Sequence, residues 1–194
     1  IATIDAMNSL GAKIVKHKDY IEVIGAYGSN EKAEEVRIID CNESGSTLRF
    51  LVPISLLFKG SSKFIGRGNL GKRPLTTYYN IFEEQGIKYS YEEGNLNLVI
   101  DGELKAGTFE VEGNVSSQFI TGLLFTLPLL KEDSKIIITT EMESKGYIDL
   151  TLKAISDFGI EIINNNYREF IIKGNQKYNA KNYRVEGDYS QAAF

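Results

Sequence analysis

The sequence predicts an α+β fold built from a repeated β-α-β-α-β-β unit, with helices buried inside and mixed sheets outside. Three observations carry that expectation. The segments Leu10-Gly-Ala-Lys-Ile14, Gln85-Gly-Ile-Lys-Tyr89 and Phe158-Gly-Ile-Glu-Ile162 recur with their glycines 75 and 73 residues apart, and self-similarity at a fixed period marks a repeated supersecondary unit. After each segment comes a second short strand-like run, at 20–24, 96–100 and 169–172, soon closed by Gly25, Gly102 and Gly174 as a hairpin edge would be. The runs 44–58 and 115–129 occupy equivalent places and are apolar around most of their circumference, the mark of helices buried on all sides.

In chain order, the first copy opens with a helix in which Ile1, Ile4, Met7 and Leu10 share one face, followed by two strands around 14 and 20–24. The second copy supplies a strand at 35–39, the helix 44–58, a strand at 63–65, an amphipathic helix ending at Gln85 and the hairpin up to Gly102. The third repeats this with a strand at 108–112, the helix 115–129, a strand at 134–140, a helix ending near Phe158 and the hairpin up to Gly174. The glycine after each amphipathic helix suits the left-handed position that closes a helix, where a Cβ is penalised. Two copies are complete, and the first lacks its opening strand, helix and strand. The expected organisation is one domain, 1–187, with sub-repeats at about 1–25, 34–102 and 107–174, and a crossover beginning at 188–194. A start inside a helical pattern without an initiator Met, and a stop where a new strand-to-helix turn begins, read as a fragment of a longer protein.

Composition narrows the partners. The 194 residues are 42% hydrophobic and 25% charged, ample for a core. A net charge of −4 and a pI near 5.2 give no global positive field, which argues against nucleic acid; an anionic ligand has to be held by local groups. A lone Cys41 leaves no internal disulfide and a lone His17 no Cys/His metal cluster, which leaves open only a metal on acidic oxygens; no metal or cofactor is assigned. The apolar runs 48–58 and 119–130 fall short of the roughly 20 residues that span a bilayer, and no secretory pattern opens the chain. A cytoplasmic monomer is the expectation.

Four polar clusters fall at comparable places in the repeat. Asn42-Glu-Ser-Gly-Ser-Thr-Leu-Arg49 puts Gly45 where a ligand can approach a helix start. Gly66-Arg-Gly-Asn-Leu-Gly-Lys-Arg-Pro74 is a glycine-rich loop with three cations, in which Arg73 can grip a phosphate or carboxylate in bidentate fashion and Pro74 suits a first helical turn. Ser116-Ser117-Gln118 stands ahead of the most apolar run, where unpaired N–H groups and the helix dipole favour an anion. Ser144-Lys-Gly-Tyr-Ile-Asp149 precedes the last helix. Each has a plainer reading: a serine is a frequent N-cap, and Arg73, Lys145 and Tyr147 suit a solvated surface. A cap uses one side chain and leaves two, so both readings can hold at Ser116-Ser117-Gln118.

The segments Gly113-Asn-Val-Ser-Ser-Gln-Phe-Ile-Thr-Gly-Leu-Leu, Lys72-Arg-Pro-Leu, Glu143-Ser-Lys-Gly-Tyr-Ile-Asp and Val185-Glu-Gly-Asp-Tyr-Ser, in this order and spacing, resemble the 5-enolpyruvylshikimate-3-phosphate synthase family (3-phosphoshikimate 1-carboxyvinyltransferases), the shikimate-pathway enzymes of aromatic amino acid biosynthesis and the target of glyphosate. The resemblance covers essentially the whole chain. It implies the N-terminal globular domain of a two-domain enzyme, with a missing C-terminal partner domain across a cleft. It further implies that Ser116, Ser117, Gln118, Ser144 and Tyr147 hold shikimate 3-phosphate, and that Gly45, Arg73 and Gln118 meet phosphoenolpyruvate. The family's principal acid and base groups map outside this chain, so no catalytic residue is assigned and the isolated chain is expected to be inactive. Glu43 stands where the family usually has Asn, and Ser46 where it has Thr. An enolpyruvyl transferase acting on UDP-N-acetylglucosamine shares the repeat but carries a functional cysteine near the position of Gly68, away from Cys41. A non-catalytic ligand-binding module on the same fold is the other alternative, since fold alone does not establish chemistry.

Overall fold

Gly11, Gly86 and Gly159 take φ of +94°, +69° and +87°, so the repeated glycines do close three helices in the left-handed region, as the sequence predicts. The computed structural model describes residues 2–26, 36–92 and 94–185. The first copy contributes α1 (Ala2–Ser9), β1 (Lys13–Lys16) and β2 (Ile21–Ile24). The second contributes β3 (Arg37–Asp40), α2 (Gly45–Ser55), β4 (Ser62–Ile65), α3 (Thr76–Gln85), β5 (Lys88–Ser90) and β6 (Asn97–Asp101). The third contributes β7 (Thr108–Val111), α4 (Ser117–Thr126), β8 (Ser134–Ile138), α5 (Lys145–Asp157), β9 (Ile162–Asn165) and β10 (Glu169–Ile172).

The two full copies form sheets of identical order, β3-β4-β6-β5 and β7-β8-β10-β9. In each, the first pair is parallel and the others antiparallel. The parallel pairs require a crossover, and α2 and α4 supply it. A two-stranded sheet, β1 with β2, is what the described residues of the first copy form.

Element boundaries differ from the sequence reading at identifiable points. The helix expected at 44–58 ends at Ser55, where the bonding tightens to i→i−3, with Leu56, Leu57 and Phe58 N donating to Pro53, Ile54 and Ser55 O. The helix expected from Val115 starts at Ser117, since Ser116 is extended (φ −168°) and caps it, leaving Val115 exposed. Pro74 stands before α3 and its flanking Leu75, outside the first turn expected for it, because a 3-10 turn at Leu70–Lys72 delays the helix. The strand expected at 134–140 stops at Ile138. Ile1, Glu35 and the expected crossover at 188–194 lie outside the described residues.

The inner helices form the centre. Phe119, Ile120, Leu123, Leu124 and Leu127 are all at most 1% exposed, each contributing about 1.5–3 kcal/mol as an upper figure. Pro53 leaves the carbonyl of Arg49, four residues earlier, without its helical donor. The hydroxyl of buried Tyr78 donates to that carbonyl at 2.5 Å and to Phe119 O at 3.4 Å, and burial pushes its pKa far up. Removing it would orphan a buried carbonyl at a cost of about 1–3 kcal/mol. Gly122 of α4 faces the same point. A Cβ there would stand 2.5 Å from both Arg49 O and Tyr78 Oη and 3.1 Å from Pro53 Cγ, so α2 and α4 approach as closely as they do only because residue 122 has no side chain. Among the described residues no helix is long and apolar enough to cross a membrane.

Candidate functional site

The repeat brings the N-termini of α2 and α4 to one end of the domain. At α4, Ser116 Oγ accepts from Gln118 N at 3.3 Å, so the cap takes one hydroxyl and leaves the side chain of Ser117 without a hydrogen bond among the described residues. At α5, Ser144 adopts a left-handed backbone (φ 56°, ψ 37°) and makes no side-chain cap, an uncommon conformation for a residue with a Cβ. Its hydroxyl makes no hydrogen bond among the described residues. An open groove of about 650 Å³ is lined by Ser116, Ser117, Gln118, Ser144, Tyr147 and Ser46, a size ordinary for a small-molecule site. Tyr147 is 68% exposed on its wall. Lys145, next to Ser144, lies over the ring of Tyr167 at 5.4 Å.

The other expected residues lie beside this groove rather than on its lining. At α2, Ser44 Oγ accepts from Thr47 N at 3.2 Å and from Thr47 Oγ1 at 2.8 Å, and also meets Ser46 Oγ. Gly45 is buried, and the guanidinium of Arg73 occupies the space its Cβ would take. The backbone approach expected for a ligand at Gly45 is thus filled by an arginine in this arrangement. Arg73 is exposed and forms no ion pair among the described residues, whereas Arg67 of the same loop is held by Asp40 at 3.0 Å. The carboxylate of Glu43 lies against Gly68, whose φ of +58° and lack of a Cβ give it room. Cys41 is fully buried, and burial, then Asp40, pushes its thiol up to about 12, which removes it as a reactive group.

One residue that sequence reasoning left unassigned ties the two regions together. Arg49, 9% exposed, donates from Nη1 to Gln118 Oε1 at 2.9 Å and lies over the Phe119 ring at 4.9 Å. Burial, then the charge of Arg73, lowers its pKa. The signal that could have found it is an arginine four residues after Gly45, on the same helical face. Two arginines near Gly45, with no carboxylate paired to either among the described residues, make a site suited to an anion. Among the described groove-lining residues there is no carboxylate, imidazole, thiol or ammonium. The surface can bind through hydroxyls, an amide and a helix N-terminus, and it lacks the groups for proton transfer at neutral pH.

The family model for EPSP synthase (3-phosphoshikimate 1-carboxyvinyltransferase) matches residues 1–194. The chain belongs to the EPSP synthase family. Among similar proteins, the 3-phosphoshikimate 1-carboxyvinyltransferases of Clostridium beijerinckii and Clostridioides difficile are 73% and 66% identical over the whole of this chain. In both cases the chain spans 46% of the relative's length. An EPSP synthase structure from Acinetobacter baumannii superposes with a TM-score of 0.75 at 20% identity, covering 99% of this chain and 42% of that one, so the EPSP synthase fold extends to distant sequences. The expected fold and family are both borne out.

Proposed function

We propose that this chain is the shikimate 3-phosphate-binding domain of an enzyme that transfers the enolpyruvyl group of phosphoenolpyruvate to the 5-hydroxyl of shikimate 3-phosphate. The observation that carries the reading is the junction at Gln118, where a hydroxyl-lined groove at a helix N-terminus meets Arg49 through one hydrogen bond. Ser116, Ser117 and Ser144 would hold the 3-phosphate, Tyr147 would lie beside the ring, and Arg73 with the Gly45 backbone would meet phosphoenolpyruvate. Gln118 would touch both. Each charge-assisted hydrogen bond of this kind is worth about 1.5–3 kcal/mol.

The transfer is an addition followed by an elimination. A proton adds to the methylene carbon of phosphoenolpyruvate while the 5-oxygen, losing its own proton to a base, bonds to the adjacent carbon; a methyl proton then leaves as the carbon–oxygen bond to phosphate breaks. These steps need an acid and a base, and the groove lining contains neither. They would come from outside this chain, as from the partner domain, so the chain alone would bind and not turn over. The full protein would work as a cytoplasmic monomer.

The test is an amide-resolved NMR titration of the isotope-labelled chain. Shikimate 3-phosphate is expected to shift Ser116–Gln118, Ser144 and Tyr147, with UDP-N-acetylglucosamine leaving them unmoved. The opposite preference would overturn the reading, as would enolpyruvyl transfer by the purified chain alone.

A further inference from the structure

We infer that Arg49 is a positioning residue that locks the Gln118 carboxamide with its oxygen inward and its NH2 group turned to the groove. The inference deepens the proposed function and rests on it for the identity of the ligands. Arg49 is an expensive residue to keep where it is, because a buried guanidinium loses hydration and needs compensation. Its Nε is buried and has no hydrogen-bond partner, and no carboxylate pairs with it among the described residues. Its attachments are the Gln118 oxygen at 2.9 Å and the face of Phe119, which attracts a cation.

Arginine can only donate, so the Gln118 atom it contacts must be the carboxamide oxygen. The reverse rotamer would press N–H groups against a cation. With the oxygen taken, Gln118 offers the groove two N–H donors and no acceptor facing outward. It would therefore select an oxygen that accepts, on a carboxylate, phosphate or alkoxide, and reject a group that only donates. Arg49 is itself immobilised from behind, because Tyr78 grips the carbonyl that Pro53 leaves free. In front, a Cβ at Gly45 would only touch Arg49 Nη1 at 3.5 Å, an ordinary contact, and the space that the glycine leaves is used by the Arg73 guanidinium.

The experiment is a double-mutant cycle in the full-length enzyme. Arg49→Met is expected to lower kcat/KM for shikimate 3-phosphate by about 30-fold, and by less than about threefold when Gln118→Met is already present. Arg49→Lys, which still donates, recovers part of the loss. Losses that multiply in the double variant would overturn the inference. Should Arg49→Met not fold, the same cycle is read with Arg49→Lys. A second readout does not depend on turnover. Gln118→Glu keeps an acceptor facing Arg49, so it is expected to raise the thermal midpoint when Arg49 is present and lower it beside Arg49→Met, with Arg49→Lys, which keeps the cation, in between; equal shifts in all backgrounds would overturn the contact. Failure of the proposed function looks different, as a wild-type enzyme that does not turn over shikimate 3-phosphate with phosphoenolpyruvate.

Discussion

The entrances to α2 and α4 occupy equivalent places in the repeat, yet they use their polar groups differently. At α2 the cap serine is engaged by Thr47 twice and by Ser46, the next residue is a buried glycine, and the cations stand beside it. At α4 the cap serine makes a single weak bond and two polar side chains remain for the groove. The supports behind them differ as well. Cys41, buried, carries the turn into α2 by accepting from Ser44 N at 2.9 Å, whereas the turn into α4 is clamped by exposed Asn114 and Thr140 at 3.0 Å. One repeat has thus yielded a charged entrance with closed hydroxyls and a neutral entrance with open ones. That division suits two anionic ligands of different shape held side by side.

The largest expected effect tests the charged entrance. Arg73→Ala in the full-length enzyme should lower kcat/KM for phosphoenolpyruvate by about 100- to 1000-fold with little change in stability, read by steady-state kinetics and thermal unfolding. A loss confined to shikimate 3-phosphate would merge the two entrances into one site. A smaller effect comes from crossing the serines. Ser117→Ala should weaken shikimate 3-phosphate binding by about tenfold at nearly unchanged stability, while Ser44→Ala should cost about 1 kcal/mol of stability with affinity nearly intact. Titration calorimetry and denaturant unfolding separate these, and a reversed pattern would break the comparison.

The smallest effect concerns pH and belongs to the α2 side alone. The folded pKa of Cys41 is raised from 9.0 to about 12, so the folded state holds its proton more tightly than the unfolded chain. The resulting stability is fully present below pH 9 and falls as the pH rises from 9 toward 12. Replacing Cys41 with Ala should remove about 1 kcal/mol of the loss seen by pH 10, measured as unfolding free energy against pH. An unchanged slope would take the thiol out of the account.

Much of this architecture was legible in the sequence. Gly11, Gly86 and Gly159 announced three helix ends because a left-handed backbone leaves few other choices, and the apolar circumference of α2 and α4 announced their burial. Ser116-Ser117-Gln118 and Ser144 with Tyr147 were readable as two separate polar clusters, and they line one groove. Arg49 was only half readable: its spacing from Gly45 puts it on the face of the α2 entrance, but its partner lies 69 residues away, and no local pattern names that partner. The position of Pro74 was misread for a related reason, since the 3-10 turn ahead of α3 depends on tertiary packing that no local preference records.

Gly122 lies in the core, away from the groove lining, and a methyl group there would meet the backbone of α2 and the hydroxyl of Tyr78. Its missing side chain works as a ruler. The separation between the charged entrance and the open hydroxyls follows how closely two helices cross below the surface, so on the proposed function the spacing of the two ligands would be set by a residue that touches neither.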